Sequence, residues 1–136
     1  MDAPTTPWRM PAEWTPHERT WMAWPSNGYT LGDTPAEIDS ARSTWAAVAR
    51  AVARFEPVTM VVAPSDTHRC REYLRNDTAH PIDIVIADLD DAWMRDIGPT
   101  FVLSPTGELG GVDWIFNGWG AQEWATWDLD ARIASR

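Results

Sequence analysis

Residues 82–99 read IDIVIADLDDAWMRDIGP, and the rest of the chain is organised around this stretch. The apolar run at 82–87 predicts a short, largely buried strand. Four aspartates, one arginine and one tryptophan follow it directly, so they are expected at the end of that strand. Clustered carboxylates repel one another unless they are solvated, paired or matched by a bound cation, and the glycine and proline at 98–99 disfavour a helix here. We therefore expect a positively charged partner for this acidic loop, residues 88–99.

Strand patterns recur on both sides of the acidic loop. They combine apolar or alternating residues with flanking turn signals such as proline and glycine. The pair of segments around Pro105 and Gly107 has the turn chemistry of a hairpin. The five predicted strands are residues 19–24, 57–63, 82–87, 100–103 and 109–116.

Three segments predict helices. Residues 35–54 have apolar side chains at spacings of three and four. Thr34 precedes them, and Glu37 stands three residues after Thr34 in the pattern of a capping box. Residues 65–75 predict a shorter helix that ends near Asn76. Residues 127–136 have helical character up to the last residue, which suggests a truncated chain. Alternating strands and helices predict α/β architecture, in which the hairpin makes the sheet mixed.

Size and charge restrict the possible functions. The chain has 136 residues, which fits a single domain over residues 1–136 with no separate second domain. Its formal charge is −9 and all 11 basic residues are arginine, which argues against nucleic-acid and membrane partners. No apolar run reaches the roughly 20 residues of a membrane span, and residues 1–4 do not resemble a signal peptide. We expect a cytoplasmic protein.

The acidic loop offers a binding site for a planar cation. The face of Trp93 attracts a cation, and the carboxylate of Asp96 can accept two N–H bonds from its edge. Guanidinium has this shape. Arg95 is expected to form an ion pair with Asp90 or Asp91.

Two alternatives remain open for the acidic loop. It could be a solvated turn without a ligand. Asp88, Asp90 and Asp91 could instead hold Mg²⁺ or Ca²⁺, although their spacing lacks the alternation and closing glutamate of a calcium loop.

The chain does not present a complete set of catalytic residues. Cys70 lies on the apolar side of a predicted helix and is expected to be structural. His17 and His80 lie next to prolines in loops and are expected to be surface or capping residues. No phosphate-binding glycine loop, Ser-His-Asp set or Cys/His metal spacing is present in the sequence.

The segment 113–120, DWIFNGWG, allows two interpretations. It could be a hairpin strand that ends in a loose turn. The small residues around Trp119 could also let its indole project into a cleft. The pattern alone favours neither.

Three sequence blocks resemble the agmatine deiminase family, of the bacterial peptidylarginine deiminase type. They are MPAEWTPHERTWMAWP at 10–25, DAWMRDIGPT at 91–100 and GVDWIFNGWG at 111–120. The blocks occur in the family's order and cover nearly the whole chain.

The resemblance implies a pentein fold, in which five ββαβ modules form a propeller around a central site, with this chain supplying the first one to two. It implies hydrolysis of agmatine to N-carbamoylputrescine and ammonia, a step toward putrescine, without a metal or organic cofactor. In such enzymes a cysteine attacks the guanidinium carbon, a histidine protonates the leaving ammonia and two aspartates bind the guanidinium nitrogens. By position, Asp96 matches the first aspartate, Trp93 and Trp119 match aromatic residues of the substrate cleft, and Asp90 is a further candidate for substrate binding.

The resemblance also has departures. Family members are well over twice this length, and their catalytic histidine, second aspartate and cysteine lie in later modules. Residues 121–123 read AQE where a second glycine and a lysine are usual. We therefore expect this chain to be inactive alone. The resemblance is compatible with homo-oligomers. The alternatives are a non-catalytic module that binds a cationic ligand through tryptophan and aspartate, and a peptidyl-arginine deiminase.

Overall fold

The computed structural model describes residues 7–75 and 77–136. At its centre lies a parallel sheet of three strands in the order β1-β2-β3. Strand β1 is Thr20–Ala23, β2 is Val58–Val62 and β3 is Ile82–Ile86. Each of the connections between these strands contains a helix, as parallel pairing requires. Three of the predicted strands are therefore confirmed.

In chain order the first helices are α1 at Gly28–Leu31, α2 at Pro35–Val52 and α3 at Thr67–Tyr73, with a 3₁₀ turn at Pro64–Asp66 before α3. Helices α2 and α3 follow the local sequence signals closely. The capping box of α2 is confirmed: the Thr34 hydroxyl accepts a bond from the Glu37 amide at 3.3 Å, and the Glu37 carboxylate accepts one from the Thr34 amide at 2.9 Å. The predicted end of α3 near Asn76 falls partly on residue 76, outside the described residues.

Strand β2 is buried along its whole length because it is the central strand. Its side chains alternate between the two faces of the sheet, so it contributes to two hydrophobic cores. The first core lies against α2 and α3 and contains Trp24, Ala46, Ala49, Ala53, Val58, Met60, Val62, Cys70 and Leu74. The second core lies on the opposite face and contains Ala23, Val61, Ala87, Leu89, Ile97 and Ile133.

A buried ion pair lies beside the first core. Arg42 of α2 donates from one nitrogen to both carboxylate oxygens of Asp66, at 3.1 and 3.0 Å. The indole N–H of Trp24 donates to the same carboxylate at 2.7 Å. All three side chains are at least nine-tenths buried, so Asp66 ties the end of β1 to α2 and α3.

The predicted hairpin is present but forms its own sheet. Strands β4, Thr100–Leu103, and β5, Leu109–Val112, pair antiparallel with each other. Among the described residues they are hydrogen-bonded to neither edge of the parallel sheet, so the prediction of one mixed sheet is wrong. The backbone of Arg9 forms an isolated antiparallel bridge with Leu103, which attaches the N-terminal segment to the hairpin.

Three local predictions differ from the structure. Strand β3 is not largely buried: Val85 is 43% and Ile86 is 55% exposed, because β3 is at an edge of the sheet. Residues 127–136 contain only the 3₁₀ turn Asp130–Arg132. One helical turn, α4 at Met94–Ile97, forms inside the acidic loop and ends directly before Gly98.

Two further observations concern the ends and the surface of the chain. Residues 7–18 form no helix and, apart from the bridge at Arg9, no strand, while residues 1–6 lie outside the described residues. Across the described ranges, no helix has both the length and the apolar character needed to cross a membrane.

Candidate functional site

The loops that follow β1 and β3 meet beyond the carboxyl ends of the parallel strands. Ligands of open α/β sheets usually bind at these ends. The side-chain NH₂ group of Asn27 donates to the backbone carbonyl of Leu89 at 3.1 Å. Gly28 has a φ of +79°, and a Cβ at this position would lie 2.3 Å from the carbonyl oxygen of Asp90. Gly28 is therefore required both by its backbone conformation and by the close approach of the acidic loop.

Asp130 binds the acidic loop from the C-terminal segment. Its two carboxylate oxygens accept hydrogen bonds from the amides of Asp90 and Asp91, at 2.8 and 3.0 Å. In return, one oxygen of Asp90 accepts a bond from the Leu129 amide at 2.8 Å and a longer one from the Asp130 amide at 3.4 Å. We call this reciprocal set of bonds the aspartate clamp.

The electrostatics of the aspartate clamp are unfavourable for three charges. Asp130 is 1% and Asp91 is 5% exposed. Burial raises the pKa of the Asp130 carboxyl from 3.8 to about 6; the nearby carboxylates of Asp90 and Asp91 add to this shift, while the two backbone N–H bonds oppose it. Asp130 therefore gains and loses its proton in mildly acidic solution.

A small cleft lies above the aspartate clamp. The residues that line it include Asp90 and Asp91 together with the aromatic residues Tyr29, Trp119 and Trp124. Trp119 stacks on Trp124 with ring centroids 5.3 Å apart, and Tyr29 lies 5.2 Å from Trp124. The structure thus brings together two of the predicted site residues, Asp90 and Trp119.

The backbone around Trp119 is left-handed. Gly118–Ala121 forms one turn with positive φ angles, including 56° at Trp119 and 58° at Ala121. Such angles cost about 1–2 kcal/mol for a residue with a side chain. At Gly118 a Cβ would lie 2.1 Å from the ring of Trp127, so glycine is also required there by packing. This conformation directs the indole of Trp119 against Trp124.

Trp93 lies beside a larger open groove of about 760 Å³ that runs along α1 and α2. Its ring meets the ring of Trp45, which lines this groove, edge to face at 5.9 Å. The larger groove also shares Tyr29 and Trp124 with the small cleft. Trp93 itself is 43% exposed, so its ring remains accessible to a ligand.

Asp96 lies on α4 and its side chain is exposed. Within residues 7–75 and 77–136, no ion pair or hydrogen bond of its carboxylate is found, and it lines neither the groove nor the small cleft. The predicted ion pair of Arg95 with Asp90 or Asp91 is wrong, because Arg95 pairs with Glu13 at 2.7 Å. The carboxylates of Asp90 and Asp91 are instead engaged by backbone amides.

Two further titratable candidates are Cys70 and His17. Cys70 is fully buried, and burial together with nearby Asp66 raises the pKa of its thiol to about 12. The Nδ1–H of His17 donates to the Thr15 carbonyl at 3.0 Å and its Nε2 lies 2.9 Å from a carboxylate oxygen of Glu56, and these contacts raise the pKa of His17. In the part of the chain that the structure describes, no group of three potential metal ligands lies close together.

Sequence reasoning missed Asp130, Tyr29 and Trp124. Asp130 is 40 residues from Asp90, and no local pattern marks such a contact. Trp124 lies three residues from Trp127 in the sequence, but its stacking on Trp119 depends on the left-handed turn. Tyr29 carries a weaker signal, its position next to the glycine that follows β1.

Comparisons with known proteins agree on one family. The model of the Porphyromonas-type peptidyl-arginine deiminase family matches residues 9–136. A Streptomyces coelicolor protein named "Putative agmatine deiminase" is 60% identical over 93% of this chain and 36% of its own length. The agmatine deiminase of Pseudomonas aeruginosa LESB58 is 42% identical over 94% of this chain and 34% of its own length.

The fold agrees as well. A solved structure described as the agmatine deiminase of Enterococcus faecalis superposes with a TM-score of 0.77 at 34% identity, covering 94% of this chain and 34% of that one. The chain therefore spans about a third of the length of the relatives that it matches.

Proposed function

Since the chain belongs to the Porphyromonas-type peptidyl-arginine deiminase family, we propose that it supplies the guanidinium-binding side of an agmatine deiminase site. The reaction is hydrolysis of agmatine: water replaces one guanidinium nitrogen, giving N-carbamoylputrescine and ammonia. The relatives named above carry the name agmatine deiminase, which favours agmatine as substrate. The family's description favours peptidyl-arginine as the second candidate.

One observation carries this proposal: an exposed carboxylate at Asp96 has no ion pair among the described residues and lies on the helical turn that directly follows Trp93, whose ring is accessible. A carboxylate without a partner attracts a cation, and guanidinium presents parallel N–H groups that match its two oxygens. An adjacent indole can cover the face of the same planar cation.

Catalysis requires a nucleophile, and we infer that this chain does not contain it. A nucleophilic cysteine must be a thiolate that the substrate can reach. Cys70 is buried and its pKa is about 12, so at neutral pH it is protonated and inaccessible. We propose that the nucleophile and its histidine come from the later modules of a pentein propeller, and that the 136-residue chain binds agmatine without turnover.

Calorimetric titration of the chain with agmatine and with putrescine tests this proposal. Putrescine has the same aliphatic diamine framework without the guanidinium group, so it should bind more weakly. Asp96→Asn should weaken agmatine binding about 10- to 100-fold, because it removes one charged hydrogen-bond partner worth about 1.5–3 kcal/mol.

The matched control is Asp113→Asn, which removes the same charge from another exposed aspartate. It should leave agmatine binding unchanged. Equal binding of agmatine and putrescine, or unchanged agmatine binding in Asp96→Asn, would contradict the proposal. Release of ammonia from agmatine by the chain would contradict the inferred lack of a nucleophile. Titration with a blocked arginine amide distinguishes the peptidyl-arginine alternative.

A further inference from the structure

The C-terminal segment holds the acidic loop at more than one point. The aspartate clamp fixes the backbone of Asp90 and Asp91 through buried hydrogen bonds. Ile133, three residues beyond Asp130, packs in the second core together with Leu89 and Ile97. The segment that contains Trp93 and Asp96 lies between Leu89 and Ile97 in the sequence, and both of these side chains are buried. Both ends of the segment are therefore anchored.

A carboxylate is the side chain that this contact requires. Two backbone N–H groups point at the two oxygens of Asp130, and both bonds have ordinary lengths. An asparagine at 130 could accept only one of these bonds, and its NH₂ group would face the other N–H. One carboxylate oxygen of Asp90 in turn accepts bonds from the backbone N–H groups of Leu129 and Asp130. Loss of either aspartate side chain therefore loosens both the acidic loop and the C-terminal segment.

The same contact shapes the small cleft. Asp90 and Asp91 line the cleft together with Trp119 and Trp124. Movement of residues 90–91 would therefore change the shape of the cleft. It would also shift the start of the segment that leads to Trp93.

We propose that Asp130 is a positioning residue for substrate binding: it fixes the backbone of the acidic loop, which carries Asp90, Trp93 and Asp96. This inference rests on the proposed function. Asp130 is buried and does not itself contact the ligand. Its effect on binding passes through the backbone of the acidic loop.

The test combines agmatine affinity with hydrogen exchange of individual amides measured by NMR. Asp130→Asn should weaken agmatine binding about tenfold and speed up exchange at the amides of Asp90 and Asp91. Asp128→Asn removes an exposed carboxylate from the same segment and should change neither quantity. Gly107→Ala, in the hairpin turn, lowers stability at a distant point and should leave the affinity of the folded chain unchanged.

The conservative variant Asp130→Glu retains the charge and both acceptor oxygens, so it should lose less affinity than Asp130→Asn. If Asp130→Asn does not fold, the comparison of Asp130→Glu with Asp128→Glu decides the question. Asp130→Glu should then weaken agmatine binding about two- to fivefold, and Asp128→Glu should leave it unchanged. Faster exchange at 90 and 91 with unchanged affinity would overturn the positioning role. If the native chain does not bind agmatine, the proposed function is overturned and this inference with it. If the native chain binds agmatine and the Asp130 variants bind it equally well, this inference alone is overturned.

Discussion

Gly28→Ala tests the packing on which the candidate site depends. Gly28 has a φ of +79°, where an L-residue loses about 1 kcal/mol. The added Cβ would also lie 2.3 Å from the Asp90 carbonyl oxygen and 3.0 Å from the Asp91 Cγ. Moving the acidic loop to remove this overlap should cost about 1–3 kcal/mol more. We therefore expect the free energy of unfolding to fall by about 2–4 kcal/mol.

Gly107→Ala is the matched control for this prediction. Gly107 has a φ of +85°, but a Cβ there would have no neighbour within 4 Å. It should therefore lose only the conformational term of about 1 kcal/mol. Urea unfolding followed by tryptophan fluorescence and circular dichroism measures both variants. Two losses that agree within about 0.5 kcal/mol would refute the close approach between Gly28 and the acidic loop, because the overlap should add at least about 1 kcal/mol to the loss in Gly28→Ala.

Two further predictions concern buried carboxylates. Asp66→Asn should lower the free energy of unfolding by about 3–5 kcal/mol, because it leaves the buried guanidinium of Arg42 without its counter-charge. In the Arg42→Met background the same substitution should lower the free energy of unfolding clearly less. Equal losses in the two backgrounds, measured by urea unfolding as a double-mutant cycle, would contradict the ion pair. The raised pKa of Asp130 means that the folded chain binds a proton more readily than the unfolded chain between about pH 4 and 6, so its contribution to stability should be most favourable below this range and decline as pH rises through it. Urea midpoints of native chain and Asp130→Asn at pH 4, 5, 6 and 7 measure that decline as a difference, and a difference that grows with pH would show the opposite sign.

The parts of the fold that the sequence predicts are those with local causes. Helix α2 begins where Thr34 and Glu37 cap each other, and both partners lie within one turn. The hairpin pairs across a turn whose glycine at 107 has the expected positive φ. Strand β3 was found for the same reason, but its burial was overestimated. An apolar run looks the same in a central and in an edge strand, and only the order of strands distinguishes them.

The features of the site that escaped prediction depend on long-range contacts. Asp130 meets Asp90 across 40 residues, and neither position has a pattern that specifies the other. The stack of Trp119 on Trp124 depends on the left-handed turn at Gly118–Ala121. The glycines in this segment signal a special backbone without specifying its direction. Local sequence therefore identified the residues of the acidic loop but not the segment that holds them in place.

Arg95 illustrates how a distant contact changes the chemistry of the acidic loop. It directly precedes Asp96 and carries the same planar guanidinium group as the proposed substrate, so it is the nearest internal competitor for that carboxylate. In the structure it pairs at 2.7 Å with Glu13, a residue of the N-terminal segment. Both partners are exposed, so this pair adds only about 0–1 kcal/mol to stability. Its consequence is that the arginine closest in sequence is engaged elsewhere, while the Asp96 carboxylate remains accessible to an external cation.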